Sequence, residues 1–216
     1  MPVIVSKSNY VSSYRIASYD GLYYVATNPQ IGVGVQQGVT QAYDPGKCLL
    51  LFHNHSRSYL DPKYLKLICS DKGSNVTSSG LTVSLDLTDR YSSGGVECGS
   101  FSTNSGYFAG DDTHIYFGDV VCTSSFKSRI VGRARIKGGG SSSWVPSEQV
   151  LIDFDGVSEN IGVTAGTTTP TISVGVGPVV VAPGHSMMLS LWNVQTGTAV
   201  PPSWEFIFGY VVRETA

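Results

Sequence analysis

Charge is what this chain has least of. Only 14 % of its 216 residues are Asp, Glu, Lys or Arg, against roughly 25 % in an ordinary soluble domain, so the surface has to be built largely from Ser, Thr, Asn and Gly. Neither sign is in excess: 14 Lys and Arg against 16 Asp and Glu leave a formal net charge of −2. Nucleic acid and anionic membranes are bound through an excess of cations, so neither partner is expected and a genome-coating role is disfavoured. Long apolar runs are absent too, the longest falling far short of the roughly 18 residues that a bilayer-crossing helix takes. The four cysteines, Cys48, Cys69, Cys98 and Cys122, are spaced too widely for a zinc motif or a dense disulfide framework; free, mostly buried thiols are expected. The amino-terminal MPVIVSKSNY lacks the charged region and apolar stretch of a secretory signal, which points to assembly in a cytosol.

Helical periodicity is also missing, whereas alternation with a period of two recurs from about residue 47 onward. In LTVSLDLTD, Leu81, Val83, Leu85 and Leu87 share one face and Thr82, Ser84, Asp86 and Thr88 the other, because successive strand side chains point to opposite sides of a sheet. In SWEFIFGYVV the apolar face is Trp204, Phe206, Phe208, Tyr210 and Val212. Further strands are expected at 48–53, 64–69, 113–121, 129–137, 149–154, 170–174, 178–182 and 187–192, separated by Gly and Pro turns such as Asp44-Pro45-Gly46, Gly138-Gly139-Gly140 and Pro183-Gly184. About ten short strands describe an all-β chain, a β-sandwich of jelly-roll type. Residues 1–45 differ: Tyr10, Tyr14, Tyr19, Tyr23 and Tyr24 lie among Ser, Gly and Val with poor alternation. They are expected to form an extended N-terminal arm on a sandwich domain at 46–216. Tyr suits protein interfaces, so the arm lies either on a neighbouring subunit or on its own domain; in the first case removing residues 1–40 leaves the sandwich folded.

Chemistry-bearing patterns are few. His53-Asn54-His55 puts two imidazoles on one face of a strand, where a metal could bridge them, but neither His114 nor His185 stands at a recognisable spacing to supply a third ligand. Asp153-Phe154-Asp155-Gly156 starts like a calcium loop and lacks the rest; Asp111-Asp112 is a second acidic pair. No nucleophile elbow, phosphate loop or His-Glu-x-x-His helix occurs, so neither an enzyme nor a cofactor is expected, although a glycosidase carboxylate pair has no fixed spacing to find. The most unusual stretch is Arg129–Lys137. As a regular strand it places Arg129, Arg133, Arg135 and Lys137 on one face. Such a stripe either guards a strand edge against aggregation or docks on an acidic partner. Trp144, after Ser141-Ser142-Ser143, is the candidate for stacking on a sugar.

Four stretches, Leu22-Tyr23-Tyr24-Val25-Ala26-Thr27-Asn28-Pro29, Leu85-Asp86-Leu87-Thr88-Asp89-Arg90-Tyr91-Ser92-Ser93-Gly94-Gly95, Pro183-Gly184-His185-Ser186-Met187-Met188-Leu189-Ser190-Leu191-Trp192 and Phe206-Ile207-Phe208-Gly209-Tyr210, together resemble tailed-bacteriophage capsid decoration, or cement, proteins in order along most of the chain. The motifs are structural, an Arg-Tyr-Ser-Ser-Gly-Gly turn and a Pro-Gly turn entering a strand, and residues 96–110 depart from the pattern. The resemblance implies a homotrimeric β-sandwich that binds the major capsid protein on the outside of a phage head and bridges its capsomers. Two other functions fit the residues: a receptor- or carbohydrate-binding jelly roll of a tail or fibre, and the major coat subunit itself, for which a basic interior arm is missing.

Overall fold

The computed structural model describes residues 13–36, 42–106, 112–125, 127–137, 144–154 and 171–213. A seven-residue helix, α1 (Ser13–Tyr19), precedes strands β1 (Tyr23–Thr27), β2 (Val35–Gln36), β3 (Lys47–Asn54), β4 (Tyr59–Asp71), β5 (Ser74–Asp86), β6 (Tyr91–Cys98), β7 (Ser100–Ser102), β8 (Thr113–Cys122), β9 (Arg129–Lys137), β10 (Gln149–Asp153), β11 (Thr171–Gly175), β12 (Ser186–Val200) and β13 (Ser203–Arg213). They form two sheets packed as a β-sandwich. One runs β11-β10-β4-β13-β1-β7 with β2 beside β13, the other β6-β8-β3-β12-β5-β9. Only β10 and β11 among the register-paired strands run parallel; the other pairs are antiparallel.

The alternation read in the sequence is what joins the sheets. Trp204, Phe206, Phe208 and Tyr210 of β13 are all buried against Leu49, Leu50 and Phe52 of β3, Leu81 and Val83 of β5, and Ile115 and Phe117 of β8. Phe117 meets Phe206 at 4.4 Å between ring centroids, and Phe52 meets Phe208 edge-on at 4.9 Å. Each such ring contributes roughly 1.5–3 kcal/mol by burial. A second, smaller apolar cluster of Cys48, Leu51, Val120, Cys122 and Met188 lies on the other side of the six-stranded sheet, against the stacked rings of Tyr91 and Tyr116, 3.7 Å apart. That is why β3 is buried on both faces. All four cysteines are free and buried, as expected; burial pushes the Cys69 and Cys98 thiols up to about 12.

Four expectations need correcting. Residues 178–182 make no strand: Val181 alone bridges Leu60, because Pro178 and Pro183 at the two ends have no N–H to give a ladder. Residues 91–98 are a strand despite their Ser and Gly. Ladder shifts between Tyr91 and Ser93 and between Gly94 and Val96, with Gly94 and Gly95 at φ of 74° and 66°, let a glycine-rich edge follow β8, so the expected turn is a bulged edge strand instead. Residues 13–36 of the expected arm are built into the sandwich. β1 lies between β13 and β7, with Tyr24 and Ala26 in the core and Tyr24 stacked 5.7 Å from Tyr210; a cut at residue 40 would take a central strand away. Lastly, Trp144 is a core residue, fully buried between the sheets.

Candidate partner-binding surfaces

β9 is the outer strand of its sheet, and its ladder with β5 shifts twice, between Ser79 and Gly80 and between Val83 and Ser84. Each shift inserts one residue of β9 and reverses the side on which later residues fall. Arg133 and Arg135 stand opposite Thr82 and Gly80 and face outward, whereas Ala134 and Gly132 stand opposite the core residues Leu81 and Val83. Beyond the shifts, Lys137 pairs with Ser79 and Arg129 with Leu85, both on the inward side, and Ile130 joins the outward arginines. The single basic face expected from a regular strand is thus divided.

Lys137 is committed within the fold. Its Nζ lies 2.5 Å from Glu148 Oε2, whose carboxylate is buried, and 4.7 Å from the centroid of the Trp144 ring. Trp144 is fully buried, donates Nε1–H to Ser79 Oγ at 2.9 Å and meets Trp204 edge-on at 4.7 Å. It has no face left for a sugar. On the outward side the Arg133 guanidinium lies 5.7 Å from the Trp192 ring centroid. That indole rests on Gly80, where a Cβ would come within 2.0 Å of it, and donates to Thr82 Oγ1 at 3.2 Å. Arg129, Arg133 and Arg135 are exposed, with Ile130 at 53 %.

The four histidines of the chain meet at one end of the six-stranded sheet. His53 is the cross-strand partner of His114, the rings of His55 lie 5.7 Å from His53 and 5.6 Å from His114, and the His185 carbonyl accepts the N–H of Asn54. Buried His53 is hydrogen-bonded through Nδ1 to Ser186 Oγ at 3.1 Å, with Asp89 Oδ2 3.9 Å from Nε2; His114 Nδ1 contacts Glu97 Oε1 at 2.7 Å, beside a shallow pocket that also touches Asp112 and Thr113. Among the described residues no group of three is arranged to hold a metal ion. Asp153 and Asp112 are exposed, and Asp155 and Asp111 lie outside the described residues. Burial lowers the His53 pKa; Asp89 opposes this, and His55 and His114 reinforce it. A base held below its unfolded value of about 6.5 takes up its proton more readily when unfolded, so stability is full above that value and falls as pH drops below it. We expect urea midpoints to fall between pH 7.5 and 5.5, and the dependence to flatten in His53→Asn, which keeps a donor near Ser186. An unchanged slope would remove His53 from the account.

Of the tyrosines expected at an interface, Tyr10 and the side chain of Tyr14 lie outside the described residues, Tyr19 is exposed at 66 % beneath Arg15 at 6.0 Å, and Tyr24 is core. Tyr23 opens onto a surface that inspection of the sequence did not single out, the outer face of the seven-stranded sheet. Tyr64, Lys66 and Ile68 of β4 alternate with the core residues Leu65, Leu67 and Cys69; Glu205, Ile207 and Gly209 do the same on β13, Tyr23 and Val25 on β1, and Leu151 on β10. Opposite Gly209 stand Tyr64 on one side and Val25 on the other, and Phe101 of β7, 74 % exposed, continues the row. Tyr23 and Tyr64 reach over Gly209, where a Cβ would meet Tyr64 Cε1 at 2.5 Å and the Tyr23 hydroxyl at 2.7 Å. Burial and the hydrogen bond with Tyr64 push the Tyr23 pKa up to about 12. The signal was present in the sequence, since the residues between the core positions of β4 and β13 include Ile and Tyr where a water-facing strand would carry charge.

No family model matches the chain, and no curated protein does. Among solved structures it is similar to a chain of the T13 IBDV viral particle, with 11 % identity over 88 % of this chain and a TM-score of 0.29; this chain spans 31 % of that one. At that score the likeness carries no argument about function.

Proposed function

We propose that this chain is a structural virion protein that decorates the outside of a tailed-phage head, and that the outward side of β9 is where it meets the capsid. Two things support the reading: the ordered resemblance to capsid decoration proteins, and an edge strand, with no partner on its outer side among the described residues, that presents Arg133 and Arg135 beside exposed Ile130 in a chain otherwise poor in charge. The β9 surface carries it. An edge that needed only protection from aggregation would not pair its cations with an exposed Ile, whereas a protein interface combines Arg with apolar area. In this reading the chain acts by binding the major capsid protein, without a cofactor or catalysis, and assembles in the host cytoplasm.

The test is occupancy of purified heads by the double variant Arg133→Ser with Arg135→Ser. Each truncation costs about 2 to 5 kcal/mol of binding if the partner carboxylate stays buried, and under about 1 kcal/mol if both charges were solvated. We expect occupancy to collapse at low salt while circular dichroism is unchanged. The gap to the parent should narrow as salt rises, because the parent attraction is screened within about 10 Å at 0.1 M. Equal occupancy at every salt concentration would reduce the arginines to guards of the edge.

A further inference from the structure

We infer that the outer face of the seven-stranded sheet is the surface through which two copies of this chain associate face to face. The inference stands apart from the capsid reading and rests on the sheet alone. Across β10, β4, β13, β1 and β7 the outward positions hold Leu151, Ile68, Tyr64, Ile207, Val25 and Phe101, in register with one another or one step apart. Antiparallel sheets that face water alternate apolar inward with polar outward; here the middle of the outward face is largely apolar as well, with Lys66 and Glu205 as the charges set among these residues. Five strands spaced about 4.8 Å apart and roughly seven residues long at about 3.4 Å each give a footprint of about 570 Å², the same order as the roughly 800 Å² per partner of a stable interface.

The charges say what the occupant has to be. Lys66 sits in the middle of this face, flanked in register by Leu151 and Ile207, and none of the described residues forms a hydrogen bond or ion pair with its ammonium. In a free chain such a side chain reaches up into water along its stem. Once the face is covered, it needs a carboxylate or it becomes a buried unpaired charge. The same face supplies one. Glu205 stands opposite Ile68, two residues from Lys66 along β4, and of its carboxylate oxygens Oε2 accepts the Gly32 N–H at 3.0 Å, which leaves acceptor capacity over. A two-fold axis lying in the interface and bisecting the line from Lys66 to Glu205 sets Lys66 of each copy over Glu205 of the other. The face is self-complementary, as a two-fold contact requires.

Sedimentation of the full-length chain at micromolar concentration tests this. We expect the mass of two chains, at least tenfold weaker association in Lys66→Glu and in Ile207→Asp, and recovery to near the parent in the double variant Lys66→Glu with Glu205→Lys, which restores both pairs with their signs exchanged. The charge swap touches no core residue, so it decides the matter even if Ile207→Asp fails to fold. A parent of one chain overturns the inference, whatever covers the face in place of a second copy. A parent of three chains overturns it as well, because a trimer sets this face against a different surface of the next copy. So does a Lys66→Glu variant that associates like the parent, or a swapped variant that does not recover.

Discussion

Replacing Arg90 by Ala is expected to cost about 3 to 5 kcal/mol, the usual result of breaking a buried ion pair from one side, and to leave a domain of ordinary stability close to unfolding. Arg90 and Asp86 are both almost wholly buried, with Nη1 3.0 Å from Asp86 Oδ2. The guanidinium is used at every corner: Nε donates to the Thr123 carbonyl at 2.7 Å, Nη2 to the Pro45 carbonyl at 3.0 Å, and Nη1 also contacts Ser128 Oγ. One side chain thereby ties the end of β5 to the segments that follow β8 and precede β3. Asp86 accepts from Ser128 Oγ at 2.6 Å and from the backbone N–H and hydroxyl of Thr88 at 3.0 and 2.8 Å. Burial by itself would raise the Asp86 pKa, but the hydrogen bonds from Ser128, Ser125, Thr88 and Arg90 outweigh it and hold the carboxyl well below the usual range. A depressed carboxyl stabilises the fold above its unfolded pKa of about 3.9, and that stabilisation is lost as pH falls toward the folded value. Urea unfolding followed by tryptophan fluorescence should show the loss for Arg90→Ala near neutral pH, and Asp86→Asn should weaken the acid dependence of stability. A loss under about 1 kcal/mol for Arg90→Ala would mean that the site relaxes and is not a structural node.

Trp144→Ala is expected to destabilise by about 3 to 5 kcal/mol, the range for emptying a buried aromatic site. The indole fills the end of the sandwich against Trp204, bonds Ser79 Oγ, which in turn donates to Asn193 Oδ1 at 2.6 Å, and lies under Lys137. Its removal opens a cavity and also leaves the Lys137 and Glu148 pair without its apolar cover. Trp144→Phe keeps one aromatic ring in the site, leaves a smaller cavity than Ala and loses the Ser79 bond, so it should cost a smaller part of the total. A carbohydrate-stacking role predicts the opposite, a stable variant that has lost a ligand. Thermal unfolding separates the two outcomes.

Alternation of apolar and polar residues was enough to read β3, β5, β8, β10, β12 and β13 and the two-sheet core, because period two is a local property that the chain carries whatever it packs against. Charge and composition likewise set the low-charge surface, and cysteine spacing agreed with four free, buried thiols. The misread elements are those whose pattern depends on a neighbour. β6 is a strand because β8 holds it and two left-handed glycines let it bulge; β1 is one because β13 and β7 stand on either side. The parity of β9 cannot be read from β9 at all. Two shifts against β5 put Arg133 and Arg135 on one side and Arg129 and Lys137 on the other. Trp144 followed a Ser run and looked like a loop residue, while Ser79, Asn193 and Trp204, all distant in sequence, make it core. The sequence by itself determined an all-β sandwich with few charges, and the tertiary structure alone decided which side chains face outward, since a one-residue slip costs the backbone little and moves every side chain after it to the other face of the sheet.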